Sequence, residues 1–287
     1  MPLARPRYLL VLWFVLPALL AARQPRPQAP GLPTIAAKSG GLERRDGFVP
    51  IVLDRRAGSV WLELPADGGR MLLCATLATG LGSNPVGLDR GSGGRCYVAR
   101  FQPAGPAQVL VLENWSYRST FAANPAHSRS VEEAFAPSTV AALPLLAQTG
   151  ERVLVDAAEL LRRDWIDVAG ALGRAGQGGY APARERSFVH EASTRAYPRN
   201  TELEMALTFE ARDRPGDVVA AIAPDGRAFT VRQHLTLAAL PDQTYRPRAF
   251  DPRMNFFAIN FKDYAQPVEA PRSRARASGS KRSTAPG

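Results

Sequence analysis

The sequence predicts a mainly β, α+β fold: an antiparallel β-rich domain with a helical insertion near the middle. Three observations carry this. Residues 201–210 alternate without a fault, with Leu203, Met205, Leu207 and Phe209 on one side and Glu202, Glu204, Ala206, Thr208 and Glu210 on the other. A period of two with one apolar side is the pattern of an antiparallel strand lying half-buried on a core. Beyond the turn residues Pro224, Asp225 and Gly226, a second such strand sets Phe229, Val231, Leu235 and Leu237 against Thr230, Arg232, His234 and Thr236. Residues 156–172 lack this alternation and read as a helix, in two pieces around Arg163 and Asp164, stopped by the glycines of residues 173–179.

The remaining elements follow in order. Arg5 and Arg7 precede an apolar run over residues 9–20, and Ala21 and Ala22 are small enough for a cleavage site. That run is short for a membrane span, so residues 1–22 read as a signal peptide, with no stable span after cleavage and an exported, periplasmic or extracellular destination. Residues 23–41, rich in Pro, Gly, Ala and Gln, read as a flexible linker. The β-rich domain is expected over residues 42–268. Residues 48–54 and 59–64 flank a turn and predict a hairpin, and residues 71–77, 95–101 and 108–113 continue the series. Residues 128–135 predict a helix, with Ser128 or Ser130 as cap and Glu132 and Glu133 in its first turn, where the helix dipole favours acids. Residues 256–261 end the series, and residues 269–287 read as a disordered basic tail.

The formal net charge is +10. Residues 1–41 carry Arg5, Arg7, Arg23, Arg26 and Lys38 with no acid, and residues 271–287 carry Arg272, Arg274, Arg276, Lys281 and Arg282 with no acid. Those two ends hold the whole excess. A neutral body excludes the basic face that a nucleic-acid reader needs, so no nucleic-acid partner is expected.

The chemistry-bearing residues are sparse. Cys74 and Cys96 have no Cys or His neighbour at metal-ligand spacing. They sit in predicted strands joined by a glycine-rich loop and make a candidate disulfide, which export would permit. Two separate small core residues is the competing reading, and the one the sequence favours. His190 and Glu191 begin like H-E-x-x-H, but Thr194 stands where the second histidine must be, so no metal site is expected there. His234 lies beside Arg232 on a polar strand face and reads as exposed, and Glu202 and Glu204 read as solvated charge. No G-x-S-x-G is present, so a nucleophile elbow has no support. The glycine-rich loop of residues 78–94 lacks the phosphate-loop and dinucleotide patterns, and its glycines read first as turn formers. No catalytic residue, metal ligand or cofactor is assigned within this chain.

Five ordered segments define a resemblance: L-A-T-G-L-G-S-N-P-V-G-L-D-R-G (residues 77–91), R-V-L-V-D (152–156), P-R-N-T-E-L-E (198–204), T-V-R-Q-H (230–234) and Y-R-P-R-A-F-D-P-R (245–253). Together, over residues 42–268, they resemble the N-terminal domain of unknown function of bacterial exported zinc-dependent metalloproteases, which are metzincin-like. The resemblance implies a following peptidase domain that holds zinc on an H-E-x-x-H helix. It also implies a non-catalytic accessory or substrate-positioning role for this region, partnered by a zinc-peptidase domain in cis or trans. No residue here matches that helix, and after Pro267 the sequence departs into the basic tail, as a truncated, frameshifted or naturally stand-alone version would. Gly80, Gly82, Asn84, Asp89, Arg90, Arg246, Arg248, Asp251 and Arg253 are the candidate interdomain contacts. A stand-alone periplasmic binding or interaction module is the alternative.

Overall fold

A computed structural model describes residues 31–82, 85–119, 124–242, 244–245, 251, 253, 258–265 and 272–275. The strands are β1 (Glu43–Arg45), β2 (Ile51–Asp54), β3 (Ser59–Pro65), β4 (Gly69–Leu77), β5 (Gly93–Ala104), β6 (Ala107–Leu112) and β7 (Tyr117–Arg118). They continue with β8 (Ser138–Thr149), β9 (Arg152–Asp156), β10 (Tyr180–Pro182), β11 (Phe188–Val189) and β12 (Arg195–Tyr197). The last are β13 (Asn200–Ala211), β14 (Ala228–Ala238), β15 (Ala258–Asp263) and β16 (Arg272–Ala275). The helices are α1 (Ile35–Ser39), α2 (Pro125–Ala134), α3 (Ala158–Arg162), α4 (Val168–Arg174) and α5 (Asp217–Ile222).

One antiparallel sheet runs in the order β1-β2-β3-β9-β8-β6-β5-β4-β14-β13-β10, with β11 and β12 also paired to β13. It curls into a nearly closed barrel. Its two ends meet where Phe48 donates its backbone N–H to the Tyr197 carbonyl (2.7 Å) and Val49 exchanges bonds with the Thr201 hydroxyl (3.0 and 2.8 Å). Arg45 ties the same seam by donating to the carbonyls of Glu191 (3.0 Å) and Thr194. Gly47 is what lets the chains approach this closely. A Cβ there would stand 2.7 Å from both the Ala196 Cβ and the Tyr197 backbone nitrogen. Drawing the two ends together covers part of the edges that an open sheet leaves unpaired.

The inward faces of this sheet make one continuous core, with Leu62, Leu73, Phe101, Leu110, Leu143, Val155, Leu203, Phe209 and Leu235 among its buried members. α3 and α4 contribute Leu160, Leu161, Val168 and Leu172 to it. Gln233 projects into this core and resolves its own polarity there. Its carbonyl accepts from the Trp165 backbone N–H (2.7 Å) and its amide donates to the Arg163 carbonyl (2.9 Å), so one buried side chain pins the α3–α4 connection to the barrel. A smaller cluster of Ile35, Val52, Trp61, Ala147 and Leu154 lies on the outside, under α1. A separate three-stranded sheet, β16-β15-β7, stands beside the barrel with α2.

The antiparallel β-rich class and the central helical pieces are as the sequence predicts, including the break between α3 and α4. Several details differ. Residues expected as linker through 41 are folded from Thr34 onward: Thr34 caps α1, Ile35 is buried, and its N–H donates to Thr149 Oγ1 (2.9 Å). Within the segment expected as a disordered tail, Arg272–Ala275 pair with β15. The helix expected over 128–135 begins at Pro125. Asn124, not a serine, caps it, accepting from Ala126 and His127 (3.1 and 3.2 Å), with proline at the first turn where its missing N–H costs nothing. Glu132 and Glu133 therefore lie in its C-terminal half. β13 is buried on both faces through its middle, not half-buried.

Candidate functional site

The outer face of β13 and β14 carries a compact ionic cluster. The strands pair so that Glu204 stands opposite His234 and Glu202 opposite Thr236. Glu202 and Glu204 are two residues apart and so project to the same face. His234 lies between them: its Nε2 donates to Glu202 Oε2 (2.7 Å) and its Nδ1 to Glu204 Oε2 (3.0 Å). Thr236 Oγ1 adds a bond to the same Glu202 oxygen (2.5 Å), and Asn200 Nδ2 donates to the other.

Glu204 is the centre, with only 4% of its side chain accessible. Its second oxygen lies 3.1 Å from Arg232 Nη1 and 3.2 Å from His190 Nδ1. Arg232 also donates to His190 Nε2 (3.0 Å), and Ser193 Oγ stands 3.1 Å from His190 Nδ1. The segment that delivers His190 is locked in place: the His190 N–H donates to the Glu204 carbonyl (2.8 Å) and the Thr194 hydroxyl accepts from the Glu204 N–H (3.2 Å).

The electrostatics are those of a self-compensated group. Bonds from His234 to Glu202 and then to Glu204 hold the imidazole pKa above its ordinary value, against the opposing effect of burial. Burial acts to raise the Glu202 carboxyl, but its bonds from His234, Thr236 and Asn200 outweigh it and hold the pKa below the usual range. His234 is therefore the charged partner, donating at both nitrogens. The arrangement cannot act as a serine triad, because the Ser193 hydroxyl and Glu204 share one nitrogen of His190 while Arg232 occupies the other.

These residues were individually visible in the sequence but their association was not. The readings of His234 as exposed and of Glu202 and Glu204 as solvated are corrected by this geometry. His190 and His234 converge on Glu204 although 44 positions separate them. Register would have joined Glu204 to His234, but the connection between β13 and β14 contains α5, so no short turn reveals it.

The outer face of β4 leads from this cluster to a second polar site. Thr76 faces His234, and Cys74 faces Thr236 on one side and Cys96 on the other. Cys74 and Cys96 are joined by a disulfide, with Cα atoms 4.1 Å apart. They lie on the outer face and not in the core, which removes the reading of two separate core residues. Leu72 follows, and then Arg70 directly opposite Arg100 on β5.

Arg70 and Arg100 share Glu113. Arg70 binds it with two nitrogens, Nε to Oε1 (2.8 Å) and Nη2 to Oε2 (2.6 Å), while Arg100 Nη1 stands 3.6 Å from Oε1. Trp115 Nε1 donates to Oε2 (3.0 Å). Burial acts to raise the Glu113 carboxyl, but Arg70 and Trp115 hold it below the ordinary range. These groups form one wall of a cleft of 460 Å³, completed by Tyr117, Arg118, Glu132 and Phe135 from the β7–α2 side. Tyr117 stacks on Phe135 (4.2 Å between centroids), and the Arg118 guanidinium lies over Trp115 (4.6 Å) and Phe261 (3.9 Å).

Of the sequence-derived contact candidates, Gly80 and Gly82 serve the loop itself. A Cβ at Gly80 would stand 2.4 Å from the Leu88 carbonyl oxygen, and Gly82 has a φ of 77°. Leu81 and Leu88 of the same loop are buried. The loop also braces the strand of the ionic cluster: Ala78 donates to the Arg232 carbonyl (2.7 Å) and the Arg232 N–H donates to Thr79 Oγ1 (2.8 Å). Asp89 is partly buried and Arg90 exposed. Asp251 and Arg253 form a local ion pair (2.7 Å) with the guanidinium out in solvent. Asn84, Arg246 and Arg248 lie outside the described residues.

Among the described residues, no group of three or more His, Cys, Asp and Glu side chains has a metal-holding arrangement, and no helix is long and apolar enough to cross a membrane. Fold and surface together define an antiparallel β-barrel domain with an organised polar outer face. The chain belongs to a family described as a domain of unknown function (DUF5117), whose model matches residues 91–278. No curated protein and no solved structure matches it.

Proposed function

We propose that this chain is an exported accessory domain that positions polypeptide for a zinc-peptidase domain, supplied in cis or in trans, with the zinc held by that partner. The observation that carries the reading is the cleft beside β4 and β5. It sets the arginines of β4 and β5 beside aromatic side chains from the β6–β7 connection, β7 and the end of α2, and these are the residue types that anchor protein–protein contacts. Trp115 is 44% exposed there, in the connection between β6 and β7, with its ring held by the Nε1 bond to Glu113 and by Arg118. The resemblance to the N-terminal region of exported zinc-dependent metalloproteases supplies the partner's chemistry. Export is supported by the charged and apolar N-terminal pattern and by a disulfide with one exposed sulfur-bearing residue, Cys96, which fits an oxidising compartment.

The deciding experiment mixes this chain with a separately expressed H-E-x-x-H peptidase domain and follows cleavage of unfolded casein. The expected result is cleavage that rises when the chain is added and that a chelator abolishes. An unchanged rate, with no association by analytical ultracentrifugation, would assign a stand-alone binding module instead. Intact mass of protein recovered from cells is expected to lack residues 1–22, and a cytoplasmic product retaining them would overturn the export reading.

A further inference from the structure

The two polar sites on the outer face differ in one respect. Around Glu204 opposite charges meet one another directly: His234 bonds both Glu202 and Glu204, and Arg232 stands at ion-pair distance from the remaining Glu204 oxygen. The cleft is not paired in this way. Arg70 and Arg100 are direct cross-strand neighbours, an arrangement of like charges that is unfavourable unless something neutralises it. Glu113 is a single carboxylate serving both, and the bidentate bond goes to Arg70. Arg100 is left with the long 3.6 Å approach and a bond from its Nε to Gln102 Oε1 (3.1 Å). Arg118 and Glu132 also line the cleft, one group of each sign. The side chains of Arg70 and Arg100 are 52% and 39% accessible, so their outward N–H groups can be reached.

From this we infer that the cleft binds an acidic side chain of an extended polypeptide, with the residue next to it resting on Trp115. A guanidinium fork matches a carboxylate in geometry as well as charge. Arg100, bound only at long range to Glu113, is the group that takes the incoming carboxylate, and Arg70 and Glu113 hold the floor beneath it. The exposed Trp115 ring, fixed by its own N–H bond to Glu113 and by Arg118 stacked upon it, offers an apolar surface beside that carboxylate. The preferred ligand is thus a segment in which Glu or Asp neighbours a large apolar residue. This assignment rests on the reading of the domain as one that positions polypeptide.

The test is calorimetric titration of the purified chain with a peptide of alternating Glu and Leu, acetylated and amidated at its ends. Two comparison peptides replace every Glu by Gln, one amidated and one with a free C-terminal carboxylate. The expected result is binding of the Glu peptide, at least about tenfold weaker binding of both Gln peptides, and a similar loss in Arg100→Gln, because a lost charge-assisted bond is worth about 1.5–3 kcal/mol. The melting temperature of Arg100→Gln should match the parent, since this side chain lies outside the core. Equal binding of Glu and amidated Gln peptides would overturn the assignment. So would preference for the free terminus, or undiminished binding by a folded Arg100→Gln chain. Casein cleavage separates the two proposals. Stimulation of the peptidase that survives Arg100→Gln keeps the accessory role and removes the cleft's part in it. Glu-peptide binding without any stimulation keeps the cleft assignment and removes the accessory role.

Discussion

Glu204 and His234 face each other in register across β13 and β14, with Oε2 and Nδ1 3.0 Å apart. The histidine is held from the other side by Glu202 at 2.7 Å. Two carboxylates around one imidazole fix its protonation, and this makes the barrel's outer face sensitive to pH. The charged and titratable groups facing His234 are Glu202, Glu204 and, through Glu204, Arg232 and His190.

The first prediction concerns that dependence. The folded-state pKa of His234 is raised above 6.5, so its contribution is fully present below pH 6.5 and is lost as pH rises through the higher folded value. The pKa of Glu202 is lowered below 4.5, so its contribution is present above pH 4.5 and lost as pH falls through the lower folded value. The melting-temperature gap between the parent and His234→Gln should therefore be widest between these reference values, near pH 5.5, and narrow as the solution becomes alkaline. A gap that does not change from pH 5.5 to 9 would show that His234 is not charged by its neighbours.

A second prediction follows from the burial of Glu204. Glu204→Gln keeps the shape but leaves Arg232 and His234 without their shared anion. The expected loss is about 1–3 kcal/mol in urea unfolding, the cost of an unsatisfied partly buried group. An unchanged midpoint would make the cluster a passive surface feature.

The barrel's strands were legible wherever one face is apolar and the other polar, as in β4, β13 and β14. β8 was not legible. Its sequence S-T-V-A-A-L-P-L-L-A-Q-T has no period of two, because small alanines suit either face and Pro144 is an unusual strand residue. The short α1 was hidden in a composition that reads as linker, and only Ile35 meeting the outer cluster gives it a reason to fold. The ionic cluster and the cleft escaped for a common reason. Each is assembled on consecutive strands joined by a long connection, residues 212–227 for the cluster and 78–92 for the cleft, and alternation tells which face a residue takes but not which residue it will meet. What the sequence marked most strongly, the glycine loop, is a packed brace for the strand that carries Arg232.

The third prediction tests the seam of the barrel. Gly47→Ala places a methyl group 2.7 Å from both the Ala196 Cβ and the Tyr197 nitrogen, closer than such atoms can stand. Overpacking of this kind costs about 1–3 kcal/mol, and the shift it forces falls on the bond from Phe48 to Tyr197. A lower melting temperature with faster amide exchange at Phe48 is expected. Gly58→Ala, at a turn with a φ of 63° and open space around it, supplies the comparison: it strains the backbone without touching the seam, so Phe48 exchange should stay slow.

The fourth concerns the disulfide. Cys74 and Cys96 close a loop across 22 positions. By the chain-entropy account a loop of that size contributes about 3 kcal/mol. Replacing both cysteines by serine should lower the unfolding free energy by roughly that amount, and reductant should lower the parent but not the variant. Two free thiols counted in denatured, unreduced protein from an exported preparation would refute the pairing.

The last prediction is that the chain, purified alone, retains no stoichiometric zinc after dialysis. His190, His234 and Glu204 do come together, which their spacing in sequence conceals, so the question is one of space and charge. A catalytic zinc needs about three protein ligands and an open position for water. Here the position between His190 and Glu204 is taken by a cation already. Arg232 Nη1 stands 3.0 Å from His190 Nε2 and 3.1 Å from Glu204 Oε1. His234 spends both nitrogens on carboxylates and must keep both hydrogens to do so, whereas a ligating imidazole needs a bare nitrogen. Zinc would have to displace a guanidinium, deprotonate His234 and give up two ion pairs at once. Metal analysis is expected to find well under one zinc per chain in the parent and in His190→Ala alike. One zinc per chain in the parent, lost in His190→Ala and in His234→Gln, would mean that the cluster rearranges around metal and that Arg232 is a displaceable plug and not a permanent member.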